Sequence, residues 1–162
     1  MEKNEILSSL LENFGNVIIK SEEPDGILTI VVKPEAINTI IKYLKEFHGF
    51  NFLTDLCGIH YPEQENSLGV IYHIHNLNEN IRIRLKIFVP DSKPIVKTVT
   101  DLFPAANWME RETFDFFGII FEGHPNLKRI LNVEYLDYHP LRKEYPLEDP
   151  TRHDKDDRFF GR

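Results

Sequence analysis

Residues 81–89 constrain the fold of this chain more than any other stretch. Ile81, Ile83, Leu85, Ile87 and Val89 alternate with Arg82, Arg84 and Lys86. A period of two belongs to a β-strand, whose successive side chains point to opposite faces of a sheet. One face must therefore meet a core while the other meets water or a partner. A single strand of this kind is not stable alone, so other strands and a covering layer have to come from elsewhere in the sequence.

They are legible on both sides. Residues 52–60 and 69–77 read as strands, and Leu77-Asn78-Glu79-Asn80 is short enough to close a hairpin onto residue 81. Upstream, strand signals at 17–20 and 27–33 flank Ser21-Glu22-Glu23-Pro24-Asp25-Gly26, a turn by composition. Ile6, Leu7, Leu10, Leu11 and Phe14 keep helical spacing up to Gly15. Pro34 opens a second helix with Ile37, Ile40, Ile41, Leu44 and Phe47 on one stripe, ending at Gly49. The order α-β-β-α-β-β-β predicts an α+β two-layer sandwich, with helices on one face of a mainly antiparallel sheet. After Val89, the spacing of Ile95, Val96, Val99, Leu102 and Phe103 predicts a connecting helix before Pro104.

Composition excludes several functions. The net charge of −7, from 19 basic and 26 acidic residues, disfavours a nucleic-acid binder. No apolar run approaches the ~20 residues needed to span a bilayer. The opening MEKNEILSSL has acidic residues and no apolar signal core, so secretion is not expected. Cys57 is the single cysteine, too few thiolates for an iron–sulfur cluster. There is no Gly-rich nucleotide cradle.

Two constellations could carry chemistry. His73 and His75 share one strand face and, with His60, could hold Zn²⁺; the plainer reading puts the pair on the wet face beside Arg82 and Arg84. Cys57 with His60 could be a nucleophile and its base, but nothing nearby lowers the thiol pKa, and buried cysteine is common in strands.

The second half is organised differently. Asn107 and Glu110 read as a capping box, and Gly118 as the stop of a short helix. Met109, Thr113, Phe116 and Phe117 share one arc of it, Arg111, Glu112 and Asp115 the other. Glu110 projects on the greasy side between Phe114 and Phe117. Either it reaches back to the backbone of Asn107 or it awaits a partner's cation. From residue 119 onward come Pro125, Pro140, Pro146 and Pro150, with Phe121, Tyr135, Tyr138 and Tyr145 interspersed and no sustained period. So long a segment without regular structure is uncommon in a compact domain, and this one is too aromatic for plain disorder. The expectation is a scaffold domain over 1–118 and an extended, partner-docking tail over 119–162, with fast-exchanging amides in the isolated chain. The charged end at 151–162 contains Phe159-Phe160 as a candidate anchor.

Three blocks in this half resemble a known family. Glu110-Arg111-Glu112-Thr113-Phe114-Asp115-Phe116-Phe117-Gly118 is similar to the signature of the 30 kDa subunit family, the C subunits of the proton-translocating NADH:quinone oxidoreductase, respiratory complex I. Gly123-His124-Pro125-Asn126-Leu127-Lys128-Arg129-Ile130-Leu131 and His139-Pro140-Leu141-Arg142-Lys143-Glu144-Tyr145-Pro146-Leu147 resemble its next two blocks. Tyr138 stands where that family usually has Gly before the last block. The resemblance implies the same α+β architecture and a non-catalytic, cofactor-free subunit of the hydrophilic arm. Such a subunit braces the quinone-site and cluster-bearing subunits, while NADH, FMN, iron–sulfur clusters and quinone belong to its partners. It implies attachment at the cytoplasmic face of a bacterial plasma membrane, or the matrix face of a mitochondrial inner membrane, through the complex alone. Glu110, Arg111, Glu112, Asp115, His124, Arg129, His139, Arg142, Lys143 and Tyr145 are the partner-interface residues it suggests. A ferredoxin-dependent or hydrogenase-type relative shares these blocks. From other classes, a stand-alone adaptor or a Cys/His enzyme competes.

Overall fold

The computed structural model describes residues 3–146; the stretch 151–162 with Phe159-Phe160 lies outside them. Helix α1 (Lys3–Phe14) is followed by β1 (Ile18–Glu22), β2 (Leu28–Val32), α2 (Ile37–His48), β3 (Phe52–His60), β4 (Leu68–Asn76) and β5 (Ile81–Val89). The five strands form one sheet in the order β1-β2-β5-β4-β3. Only β2 and β5 run parallel, because α2 and the β3–β4 hairpin intervene between them. The predicted α+β sandwich with a mainly antiparallel sheet is the observed architecture.

The alternation along β5 sets the two faces. Leu56, Tyr72, Leu85 and Ile30 lie in one cross-strand row, all essentially without exposure, and pack with Ile6 and Leu10 of α1 and Ile37, Ile40, Ile41 and Leu44 of α2. The opposite face carries the row Asp55, His73, Arg84 and Thr29. His73 thus pairs with Arg84 and His75 with Arg82, as the strand pattern predicts, but His75 is buried rather than on a wet face. Helix α2 ends at Gly49, whose φ of +69° is the left-handed conformation glycine adopts without penalty. Phe47, predicted on the buried stripe, is 69% exposed and leans on Tyr43.

The connecting helix expected at 95–103 is not there. Ile95–Lys97 is instead a strand, β6, paired in parallel with β7 (Ile120–Glu122). Between them stands α3 (Ala106–Phe117), which packs against β3. At Gly58 the approach is so close that an added Cβ would lie 2.4 Å from the Phe117 ring. The apolar residues at 95–103 mimic helical spacing, but Val96, Val99, Leu102 and Phe103 reach the core from a strand and the turns after it. Local periodicity could not reveal a strand whose partner arrives only after α3.

Core residues also follow the expected boundary at residue 118. Ile119 and Phe121 are buried in the same core as the sheet, so the folded body continues past Gly118. Phe121→Ala should destabilise the isolated chain by roughly 3–5 kcal/mol, the range for removing a buried phenylalanine. Urea unfolding measures this, and a loss below about 1 kcal/mol would place β7 outside the folded body.

Candidate functional site

An α-helix leaves its last four carbonyls without intrahelical partners. In α3 these belong to Phe114, Asp115, Phe116 and Phe117, and every one is satisfied. Gly118, at φ +76°, donates its N–H to Phe114 O at 2.8 Å. The other three carbonyls are reached by the later segment. Arg129 Nη1 and His139 Nδ1 approach Asp115 O, each at 3.0 Å. The Leu141 N–H donates to Phe116 O at 3.2 Å, and Arg142 Nε to Phe117 O at 2.7 Å. Two guanidinium groups thereby sit at the negative end of the helix, where cations are favoured.

The Asp115 side chain extends the same arrangement. It is fully buried, and its Oδ1 accepts from Arg129 Nη1 at 2.8 Å and Asn132 Nδ2 at 3.1 Å. Its Oδ2 accepts the backbone N–H groups of Ile130, Leu131 and Asn132 at 3.1, 2.8 and 2.9 Å. Burial opposes the charge, but these donors and the Arg129 cation outweigh it and hold the carboxyl well below the usual carboxylate range. Arg129 then donates through Nη2 to the carbonyls of Leu136 and Tyr138 at 2.6 and 3.0 Å. Arg111 contributes from inside the helix, donating to Lys128 O at 3.1 Å and Arg129 O at 2.8 Å.

His139 is pushed toward its neutral form, chiefly by burial. Because a carbonyl only accepts, its Nδ1 carries the proton. Its ring covers Gly118, where an added Cβ would come within 2.6 Å. Arg142 pairs with Asp91 at 2.8 Å, and the Lys143 N–H donates to His60 Nδ1 at 3.0 Å. His124 approaches Asn107 O at 3.0 Å, near the start of the helix.

The capping box at Asn107 and Glu110 is not formed. The helix starts two residues earlier, at Ala106 with Ala105 in the cap position, and no side chain caps it. The N–H groups of Ala106, Asn107 and Trp108 already donate to Phe103, Pro104 and Ala105, leaving the Glu110 carboxylate no role there. It accepts instead from Val99 N at 2.7 Å and Thr98 Oγ1 at 2.5 Å, with no exposed surface. Nor are Arg111 and Asp115 on a wet face: both are buried, because the 128–138 segment folds back over that side of the helix.

Of the ten suggested interface residues, Asp115, Arg129, His139, Arg142 and Arg111 converge on the last turns of α3. Glu110 lies within the same helix but faces Thr98 and Val99, just after β6. Glu112, Lys143 and Tyr145 are exposed, Tyr145 stacking on Tyr138 at 4.8 Å between ring centres. Glu112 lines an open cleft with Asp55, Cys57, Phe116 and Leu141. Sequence reasoning missed Thr98, Val99, Asp91 and Asn132, whose parts depend on long-range contacts. The left-handed non-glycine residues among those described are Asp25 and Asn80, so Tyr138 occupies ordinary backbone where the family usually has Gly.

The alternative constellations are dispersed. His73 Nε2 accepts from Arg84 Nε at 3.1 Å, whereas His60 pairs with Leu68 at the far end of β3, bonded to Lys143. Burial first, then the neighbouring Asp55 and Glu112, push the Cys57 thiol up to about 11, which suits an inert thiol rather than a nucleophile.

Glu110 adds a pH dependence of its own. Burial raises its pKa from 4.5 to about 7, against the opposing pull of its two hydrogen bonds. A folded-state value above the unfolded one means that the stability it contributes is complete below about pH 4.5 and is lost as pH rises through about 7. The shift corresponds to about 3 kcal/mol. Glu110→Gln should therefore flatten that part of the stability–pH curve. An unchanged slope between these limits in chemical unfolding would contradict it.

The C subunit of the NADH-quinone oxidoreductase of Roseiflexus sp. (strain RS-1) is 43% identical over 144 residues, covering 88% of this chain and 83% of its own. The protein of the same name from Geotalea uraniireducens (strain Rf4) is 37% identical over 151 residues, covering 93% and 92%. Among solved structures, a trypsin-resistant fragment (1-134) of Nqo5 superposes with a TM-score of 0.69 at 32% identity, covering 78% of this chain and all of the fragment. A chain of the archaeal membrane-bound sulfane sulfur reductase has the same fold, with a TM-score of 0.76 at 24% identity, covering 89% of this chain and 85% of its own. The family model described as respiratory-chain NADH dehydrogenase, 30 Kd subunit, matches residues 30–151, and the chain belongs to that family.

Proposed function

We propose that this chain is a non-catalytic, cofactor-free subunit of the hydrophilic arm of an NADH:quinone oxidoreductase. In this role it braces the subunits that hold the quinone site and its nearest clusters. The chain reaches the membrane through those partners, on the cytoplasmic side in a bacterium; no helix among the described residues is long and apolar enough to cross a bilayer. Electrons pass from NADH to quinone through flavin and clusters in the partners, and this chain fixes their relative positions.

The observation that carries the reading is the use of the chemically rich residues. Asp115, Arg129, His139 and Arg142, which a catalytic subunit would aim at a substrate, are all engaged in holding the 128–142 segment to the end of α3. What remains outward are Glu112, Lys143, Tyr145 and the side chains of the 131–138 turn. That is the anatomy of a brace, with internal wiring and an outward contact surface.

Affinity purification of the tagged full chain from detergent-solubilised membranes tests this. It should bring down partners that contain flavin and iron–sulfur clusters and that reduce quinone with NADH, while the chain purified alone is colourless. A cluster or flavin retained stoichiometrically by the isolated chain would overturn the cofactor-free reading. Recovery with a complex that does not oxidise NADH would assign the chain to a different electron donor.

A further inference from the structure

The turn at 131–138 is held unusually firmly for a segment so exposed. Its entry is fixed by Asp115, which takes the N–H groups of Ile130, Leu131 and Asn132. Its exit is fixed by Arg129, which takes the carbonyls of Leu136 and Tyr138, and the Leu136 N–H closes the middle on Val133 O at 3.1 Å. With both ends of the turn held inward, several of its side chains stand in the open. Tyr135 is 88% exposed, Leu131 67% and Val133 48%. Glu134 and Asp137 stand beside them, exposed and without an ion pair among the described residues.

We propose that this turn is a preformed docking element for another protein chain, whose apolar pocket with a cationic rim receives Tyr135, Leu131 and Val133. The inference rests on the subunit reading above and deepens it by naming the surface and the chemistry of what it meets. Single exposed apolar residues need no explanation. Here, however, three stand at alternate positions on one turn, and an aromatic residue at its tip is the type that dominates binding energies. A turn already held in one conformation loses little conformational freedom on docking.

Charge selects the occupant. Glu134 and Asp137 give the turn an acidic border, and Arg129, the basic residue closest to it in sequence, is occupied inside the chain. A second copy of this chain docking through the same turn would, in a two-fold contact, bring the two acidic borders together. Like charges so placed oppose association, whereas a basic rim on a different chain is attracted.

The test uses the full chain in cells, with wild type and variant carrying different tags and the tag ratio measured in the membrane-extracted assembly. Tyr135→Ser with Leu131→Ser should be at least tenfold under-represented, and Tyr135→Phe should incorporate like wild type. Glu134→Lys with Asp137→Lys should also be depleted. The isolated variants should unfold at the wild-type urea midpoint, which separates docking from folding. Equal incorporation of the Ser variant would overturn the inference. So would a wild-type dimer in solution that dissociates on Tyr135→Ser, since the occupant would then be a second copy. Failure of the subunit reading looks different, because the ratio is read in whatever assembly holds the chain, whether or not it oxidises NADH. A chain found in no assembly overturns both.

Discussion

The buried pair of Asp115 and Arg129, at 2.8 Å, is the interaction on which the second half of this protein depends. A buried ion pair is weak evidence for stability, since desolvation opposes the attraction. Here the extra hydrogen bonds decide the balance. Asp115 takes three backbone N–H groups and an amide besides the guanidinium, and Arg129 gives its other nitrogen to two carbonyls. Removing either partner would leave a buried charge uncompensated, at about 3–5 kcal/mol. The pair fixes one end of α3 and the course of the polypeptide after it.

The three sequence blocks that resemble the family signature acquire a physical meaning from this. They are the three sides of one capped helix end: Asp115 and Gly118 from the first, Arg129 to Leu131 from the second, His139 to Arg142 from the third. Gly118 has to be glycine for two reasons, its positive φ and the ring of His139 against its Cα. The functional consequence is indirect. Each of these residues is engaged within the chain, and together they hold the outward turn and the exposed charges of the third block in position.

How much of this is legible in the sequence depends on distance along the chain. The strand at Ile81–Val89, both helices of the first half and the hairpin between β4 and β5 follow from local periodicity, and the structure has them. The same holds for the pairing of His73 and His75 with the arginines of β5. Features whose cause lies far away are the ones that mislead. The spacing around β6 imitates a helix because its partner β7 comes only after α3. Glu110 looks like a cap or a contact because Thr98 and Val99 sit on a different element. Residues 119–146 look like a partner-docking tail because many of their hydrogen-bond partners are side chains and carbonyls of α3, which carry no periodic signal.

Native-state hydrogen exchange on the isolated chain tests the central claim most directly. If Asp115 holds the segment, the amides of Ile130, Leu131 and Asn132 are protected without any partner, and Asp115→Ala releases them while those of β5 stay slow. Should these three amides exchange at the free-peptide rate in the wild-type chain, the helix-end lock does not exist in solution. The segment would then be ordered only by its partners.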